Sequence, residues 1–191
     1  MVGVLRRKIE RKLLEWKNRA SGRMPLLLYG ARQVGKTYIL NELGDRHYKN
    51  TAYVNLETNL SVARYFEDDI APERLIRFLE SAVGDVITPG DTLILFDEIQ
   101  VCERALTSLK YFCESAPLYH VAAAGSLLGV ALDRKKYSFP VGKVESMTLH
   151  PRYPTLRRVL RGLKPLSKYR IRAKAALGAS SKLFRRPRSC R

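Results

Sequence analysis

The sequence predicts an α/β fold built on a parallel β-sheet, and three observations carry that prediction. Short runs that are apolar throughout, such as "PLLLY" and "TLILF", alternate along the chain with segments of helical periodicity. A strand apolar on both faces has to be covered on both faces, which is the situation of parallel strands joined by helices. A glycine-rich turn, "GARQVGKT", joins the first apolar run to a helical segment, and the acids Asp97 and Glu98 end a later one.

The elements follow in order. "LRRKIERKLLEWKNRA" places Leu5, Ile9, Leu13 and Trp16 on one helical face with charges elsewhere, so residues 1–22 are expected to form an amphipathic N-terminal helix that needs a partner. After Ser21 and Gly22, Pro25 leads into a strand from Leu26 to Tyr29, followed by the glycine turn and a helix ending near Gly44. "TAYVNLE" reads as a second strand. "PERLIRFLESAVG" reads as a helix with Pro72 in its first turn and Gly84 as its stop. Thr92 to Phe96 form a third strand, "RALTSLKYFCES" a helix, "YHVAAAG" a fourth strand leading into "SLLGVALDRKKY", and "GKVESMTL" a fifth strand. No internal repeat is evident. With 191 residues, 46% of them apolar, the chain can bury a sizeable core.

Charge is divided unevenly. The chain carries 35 Lys and Arg against 18 Asp and Glu, a net +17. From residue 152 onward there are 14 basic residues and no acid, which leaves 21 basic against 18 acidic before it. Residues 1–151 therefore have the charge balance of an ordinary globular chain, with 23–151 expected to form its main domain, and the basicity belongs to a tail, 152–191, expected to lack a fold of its own. Lys/Arg-rich segments bind nucleic acid through phosphate contacts and counterion release, so the tail admits a nucleic-acid partner, with Tyr153, Tyr169 and Phe184 able to stack.

No run approaches the roughly 20 apolar residues of a membrane helix, and the start carries charges where a secretory signal is apolar. A cytoplasmic chain without membrane partners is expected. Cys102, Cys113 and Cys190 form neither a C-x-x-C pair nor an even set, so they are expected to be reduced, with Cys102 and Cys113 packing on a helix face. His47, His120 and His150 are scattered without metal-ligand spacing and read as structural.

The glycine turn has a chemical reading. A strand that delivers exposed backbone N–H groups onto a helix N-terminus offers aligned donors and a positive dipole end to a phosphate chain. Gly30 and Gly35 leave the backbone free to approach, Lys36 reaches the β and γ phosphates, and the Thr37 hydroxyl is suited to Mg²⁺. Gly30, Ala31, Arg32, Gln33, Val34, Gly35, Lys36, Thr37 and Tyr38 form the candidate loop for ATP. Asp97 would hold Mg²⁺ through its water shell, and Glu98 would polarise the water that attacks the γ phosphate. At other strand ends, Ser126 is a candidate for contact with the γ phosphate or the lytic water, and Asn55 for holding Glu98 off-line. Helix capping by Ser126 and strand-end bonding by Asn55 explain the same residues. Arg134, beside Lys135 and Lys136, sits where an arginine of a neighbouring subunit in a homo-oligomer would reach phosphate, although a solvated charge run accounts for it equally.

"LLLYGARQVGKTYIL", "YVNLE", "TLILFDEIQ", "ALTSLKYF", "AAGSLLGVAL" and "FPVGKVESMTL" together resemble the prokaryotic AAA-type ATPases, whose ATPase domain is normally followed by a C-terminal domain of restriction-endonuclease-like fold and unknown role. The resemblance spans about residues 5–151. It implies an additional-strand P-loop ATPase with Lys36, Thr37, Asp97, Glu98 and Ser126 in the Walker A, Walker B and sensor roles.

Two departures stand out. "IQVCERAL" has Cys102 and Glu103 where the family tends to show an acid and then a proline, and after "LHP" an acid-free basic segment replaces the family's acidic helix. A reading frame shifted near residue 151 is the expectation that follows; an acidic continuation in another frame of the DNA would bear it out, and its absence would count against it. The functional expectation is coupling of Mg-ATP binding and hydrolysis to conformational change. An ATP-switched nucleic-acid-binding protein and a nucleotide-binding remnant without turnover are the alternatives. A P-loop small-molecule kinase is the nearest enzymatic rival; the acid pair in "FDE" favours water as acceptor.

Overall fold

The computed structural model describes residues 8–126 and 142–150, all within a unit spanning Met1–Pro151. The readings placed on residues 152–191, on Arg134 to Lys136, on Leu5 and on Cys190 lie outside the described residues. Eight of the ordered segments matter for the site. They are β1 (Leu26–Gly30), α2 (Lys36–His47), β2 (Asn50–Asn55), β3 (Thr92–Asp97), a 3₁₀ turn (Ile99–Val101), α5 (Glu103–Ser115), β4 (His120–Ser126) and β5 (Glu145–Leu149). Helices α1 (Lys8–Lys17), α3 (Leu60–Asp68) and α4 (Pro72–Val83) complete the set. No described helix is long and apolar enough to cross a membrane.

The five strands form one all-parallel sheet in the order β2-β3-β4-β1-β5. Side chains of a strand alternate between its faces, and both faces here are apolar. Leu27, Val54, Ile94, Phe96 and Ala123 pack with Val62 and Phe66 of α3, Leu75 and Leu79 of α4, and Leu109 and Phe112 of α5. Leu26, Leu28, Leu93, Leu95 and Ala124 pack on the other face with Leu13 and Trp16 of α1 and Ile39, Leu40 and Leu43 of α2. Thus α1 finds the partner its apolar stripe requires, and the Trp16 indole N–H donates to the Met24 carbonyl at 2.8 Å.

Two expectations are corrected, and one helix is added. Helix α2 does not end near Gly44 but runs on to His47; Gly44 is there because α2 lies against β2, and a Cβ at that position would stand 2.1 Å from Thr51 Oγ1. Residues 60–68, not assigned to any element from the sequence, form a helix whose N-cap, Asn59, accepts from the Val62 N–H. Cys102 is not on a helix face; it occupies the N-cap position of α5, buried in the core.

His120 is structural in a specific way. It is buried at the start of β4, edge-on to Trp16 and Tyr48, and the Tyr48 hydroxyl lies 2.7 Å from Nδ1. Burial also raises the Tyr48 pKa, so that hydroxyl remains a donor. Burial first, then the charges of Arg23 and Lys17, push the His120 pKa down to about 4. The folded chain therefore keeps a neutral imidazole at a pH where the unfolded chain protonates it. Stability from this group is complete above about pH 6.5 and is lost as pH falls toward 4. Between pH 7 and pH 5 the loss is expected to be about 2 kcal/mol. Urea unfolding at both pH values should show it, and His120→Asn should flatten the difference; an unchanged difference would remove His120 as its source.

Candidate functional site: a phosphate loop at the carboxyl edge of the sheet

Parallel strands end on the same side, so β1, β2, β3 and β4 bring Gly30, Asn55, Asp97 and Ser126 to one edge. Gly30 is in register with Ser126, and Asn55 with Asp97. In α/β sheets this edge is where ligands bind.

The loop from Gly30 to Lys36 is shaped by backbone requirements. A Cβ on Gly30 would lie 2.2 Å from the Leu149 carbonyl oxygen, so only glycine can end β1 beside β5. Gln33 and Gly35 are both left-handed, at φ 60° and 87°. Such turns direct successive N–H groups to one side and form anion-binding concavities. Gly35 occupies the N-cap position of α2 and has no side chain to satisfy the first-turn N–H groups; no acid stands in that turn. The helix end is left electropositive.

Lys36 is 7% exposed, and its ammonium donates to the carbonyls of Ala31 at 3.0 Å and Gly30 at 3.3 Å. A cation is thereby held inside the loop. Ala31, Arg32, Gln33 and Tyr38 are exposed around it, Tyr38 at 69%, while Val34 is buried against the sheet.

Sixty positions beyond Thr37, Asp97 closes the site from β3. It is 5% exposed, and its Oδ2 accepts from the Thr37 hydroxyl at 2.9 Å and from the Tyr53 hydroxyl at 3.0 Å. Its Oδ1 accepts from the Glu98 N–H at 3.0 Å. Hydroxyl and carboxylate oxygens side by side suit Mg²⁺, a hard cation that usually keeps several waters and takes only one or two protein ligands alongside substrate phosphates. Among the described residues no cluster of three His, Cys, Asp or Glu could cage a metal, and Mg²⁺ of this kind needs none.

Glu98 follows in the left-handed conformation, φ 51° and ψ 42°, which turns the chain sharply out of the strand. Its carboxylate accepts from the Gln100 side-chain amide, and the Gln100 oxygen accepts from the Ser126 N–H at 3.2 Å. Asn55 is otherwise engaged: its Oδ1 accepts from the N–H groups of Glu57 at 2.9 Å and Thr58 at 3.1 Å. The group bonded to Glu98 is thus Gln100, where the sequence pointed to Asn55. Ser126 is buried at the end of β4, beside the first residue of the loop.

Tyr53 and Gln100 were not singled out from the sequence. Strand alternation could have found Tyr53, since it lies two residues before Asn55 and shares its face. Burial and the carboxylates of Asp97 and Glu98 push the Tyr53 pKa up, against a lowering bond from Asn55, so the hydroxyl stays a donor. Tyr53→Phe removes one of the two donors on Asp97 Oδ2 and is expected to change the Mg²⁺ concentration for half-maximal nucleotide binding about threefold, one hydrogen bond's worth. Titration with Mg²⁺ at fixed nucleotide checks this, and an unchanged midpoint would exclude a role for the hydroxyl.

A parallel sheet with β4 inserted between the loop strand β1 and the acidic strand β3, and a buried lysine inside the glycine loop, define a P-loop nucleotide-binding domain. A family model described as "AAA domain" matches residues 22–153, and the chain belongs to that family of nucleotide-binding, ATPase-like proteins. No curated protein matches it.

Proposed function

We propose that the chain binds Mg-ATP at residues 30–38 and hydrolyses it, coupling the cycle to a conformational change in an attached or partner element. The observation that carries this reading is the pairing of Thr37 with Asp97 at 2.9 Å, with the Lys36 ammonium held in the loop and Glu98 next in the chain. Loop N–H groups and Lys36 would bind the β and γ phosphates, and Ser126 would face the γ phosphate from the adjoining strand. Thr37 and Asp97 would hold Mg²⁺, which when bound neutralises charge on the phosphate oxygens.

Glu98 then orients a water and accepts its proton. The water oxygen bonds to the γ phosphorus while the bond from that phosphorus to the β–γ bridging oxygen breaks, leaving ADP and phosphate. A carboxylate beside the metal aspartate favours water over an organic acceptor, which separates this reading from that of a small-molecule kinase. Titration of the full chain with a fluorescent ATP analogue in Mg²⁺, with phosphate release followed in the same samples, tests both halves. Binding with turnover is expected. Binding without turnover would leave a nucleotide-binding domain only, and absence of binding would overturn the loop assignment.

A further inference from the structure

The Gln100 carboxamide is held at both ends by groups of opposite character. The Ser126 peptide N–H can only donate, so it requires the amide oxygen; the Glu98 carboxylate, when ionised, can only accept, so it requires the amide NH₂. The amide orientation follows from its partners, with the oxygen toward the Ser126 N–H and the NH₂ toward the Glu98 carboxylate. Its backbone is equally constrained. Gln100 lies in the 3₁₀ turn anchored by fully buried Ile99, with the Val101 N–H on the Glu98 carbonyl at 3.0 Å and the Cys102 N–H on the Ile99 carbonyl at 3.2 Å.

Both partners have reason to need such a tie. Glu98 leaves β3 in a left-handed conformation that is unfavourable for a residue with a side chain and persists only where the surroundings enforce it. Ser126 ends the central strand β4, in register with Gly30 at the start of the phosphate loop. A single side chain therefore connects the carboxylate after β3 to the strand end that adjoins the loop.

We infer that Gln100 is a positioning residue, which clamps the Glu98 carboxylate to the Ser126 peptide and so couples the water-orienting group to the strand end beside the phosphates. The inference rests on the reading of Glu98 as the water-orienting base, but the clamp itself can be tested without turnover.

In the ¹⁵N-labelled full chain, Glu98→Ala should move both the Gln100 side-chain amide resonances and the Ser126 backbone resonance. If neither moves, the clamp does not exist in solution. Phosphate release then tests its consequence. Gln100→Leu should slow turnover on the order of 10- to 100-fold, the cost of a displaced catalytic group, with affinity for the ATP analogue within about twofold. In a Glu98→Gln background the same substitution should cost almost nothing further, because the clamp acts through Glu98.

An equal loss in both backgrounds, or a loss of affinity matching the loss of rate, would make Gln100 merely structural. Gln100→Glu keeps the acceptor for Ser126 but sets a like charge against Glu98. It should be as slow as Gln100→Leu and serves if that variant does not fold. Movement of both resonances in a wild-type chain that releases no phosphate would support the clamp and overturn the hydrolysis reading.

Discussion

Glu98→Gln is expected to lower phosphate release by roughly 10²- to 10⁴-fold, the usual contribution of a positioned general base, while nucleotide affinity stays within about twofold. The substitution preserves size and leaves an oxygen to accept from Gln100, so the clamp and the left-handed turn survive. What is lost is the ability to take a proton from water. Nothing in the phosphate loop is touched, because Lys36 is bonded to Ala31 and Gly30, and Thr37 to Asp97. The effect should therefore fall on turnover alone, which is the signature of an interaction made in the transition state. Phosphate release at saturating Mg-ATP is the measurement. A rate within about threefold of wild type would assign the water to another group and remove Glu98 from the chemistry.

Lys36→Ala is expected to weaken binding of an ATP analogue about 100-fold. Charge-assisted hydrogen bonds to phosphate contribute about 1.5–3 kcal/mol each, and each 1.4 kcal/mol is tenfold in affinity. The geometry explains why the loss should be so large. The ammonium is already inside the loop, 7% exposed, so little ordering remains to be done when phosphate arrives. Fluorescence titration beside wild type gives the answer. Binding within threefold of wild type would mean that the phosphates do not lie on this loop. Full loss for Lys36→Ala with binding intact in Glu98→Gln would separate the group that holds the nucleotide from the group that acts on water.

The sequence and the structure agree most closely where the governing physics is local. Apolar runs such as Leu26 to Leu28 and Thr92 to Phe96 were legible as strands covered on both faces, and each is buried throughout. Gly84 was legible as a helix stop, and it caps α4 in the left-handed conformation with its N–H on the Glu80 carbonyl. Gly44 was misread for an instructive reason. A glycine inside a helix looks like a stop by propensity, but here it makes room for Thr51 of the neighbouring strand, a fact about packing and not about the helix itself.

Within the site the same division holds. The sequence by itself determined an α/β P-loop domain, and residue type together with position after a strand singles out Lys36, Thr37, Asp97 and Glu98 as candidates for its chemistry. Only the tertiary structure decided which groups meet. The insertion of β4 between β1 and β3 brings Ser126 within reach of Gln100, and the pairing of β2 with β3 brings the Tyr53 hydroxyl to Asp97. Strand order depends on side chains distant in sequence packing together across two helical layers, and a turn or a periodicity encodes only its own neighbourhood. Hence the acids stand out as candidates from the sequence, whereas the bonds that the Gln100 amide and the Tyr53 phenol make to them depend on the strand order.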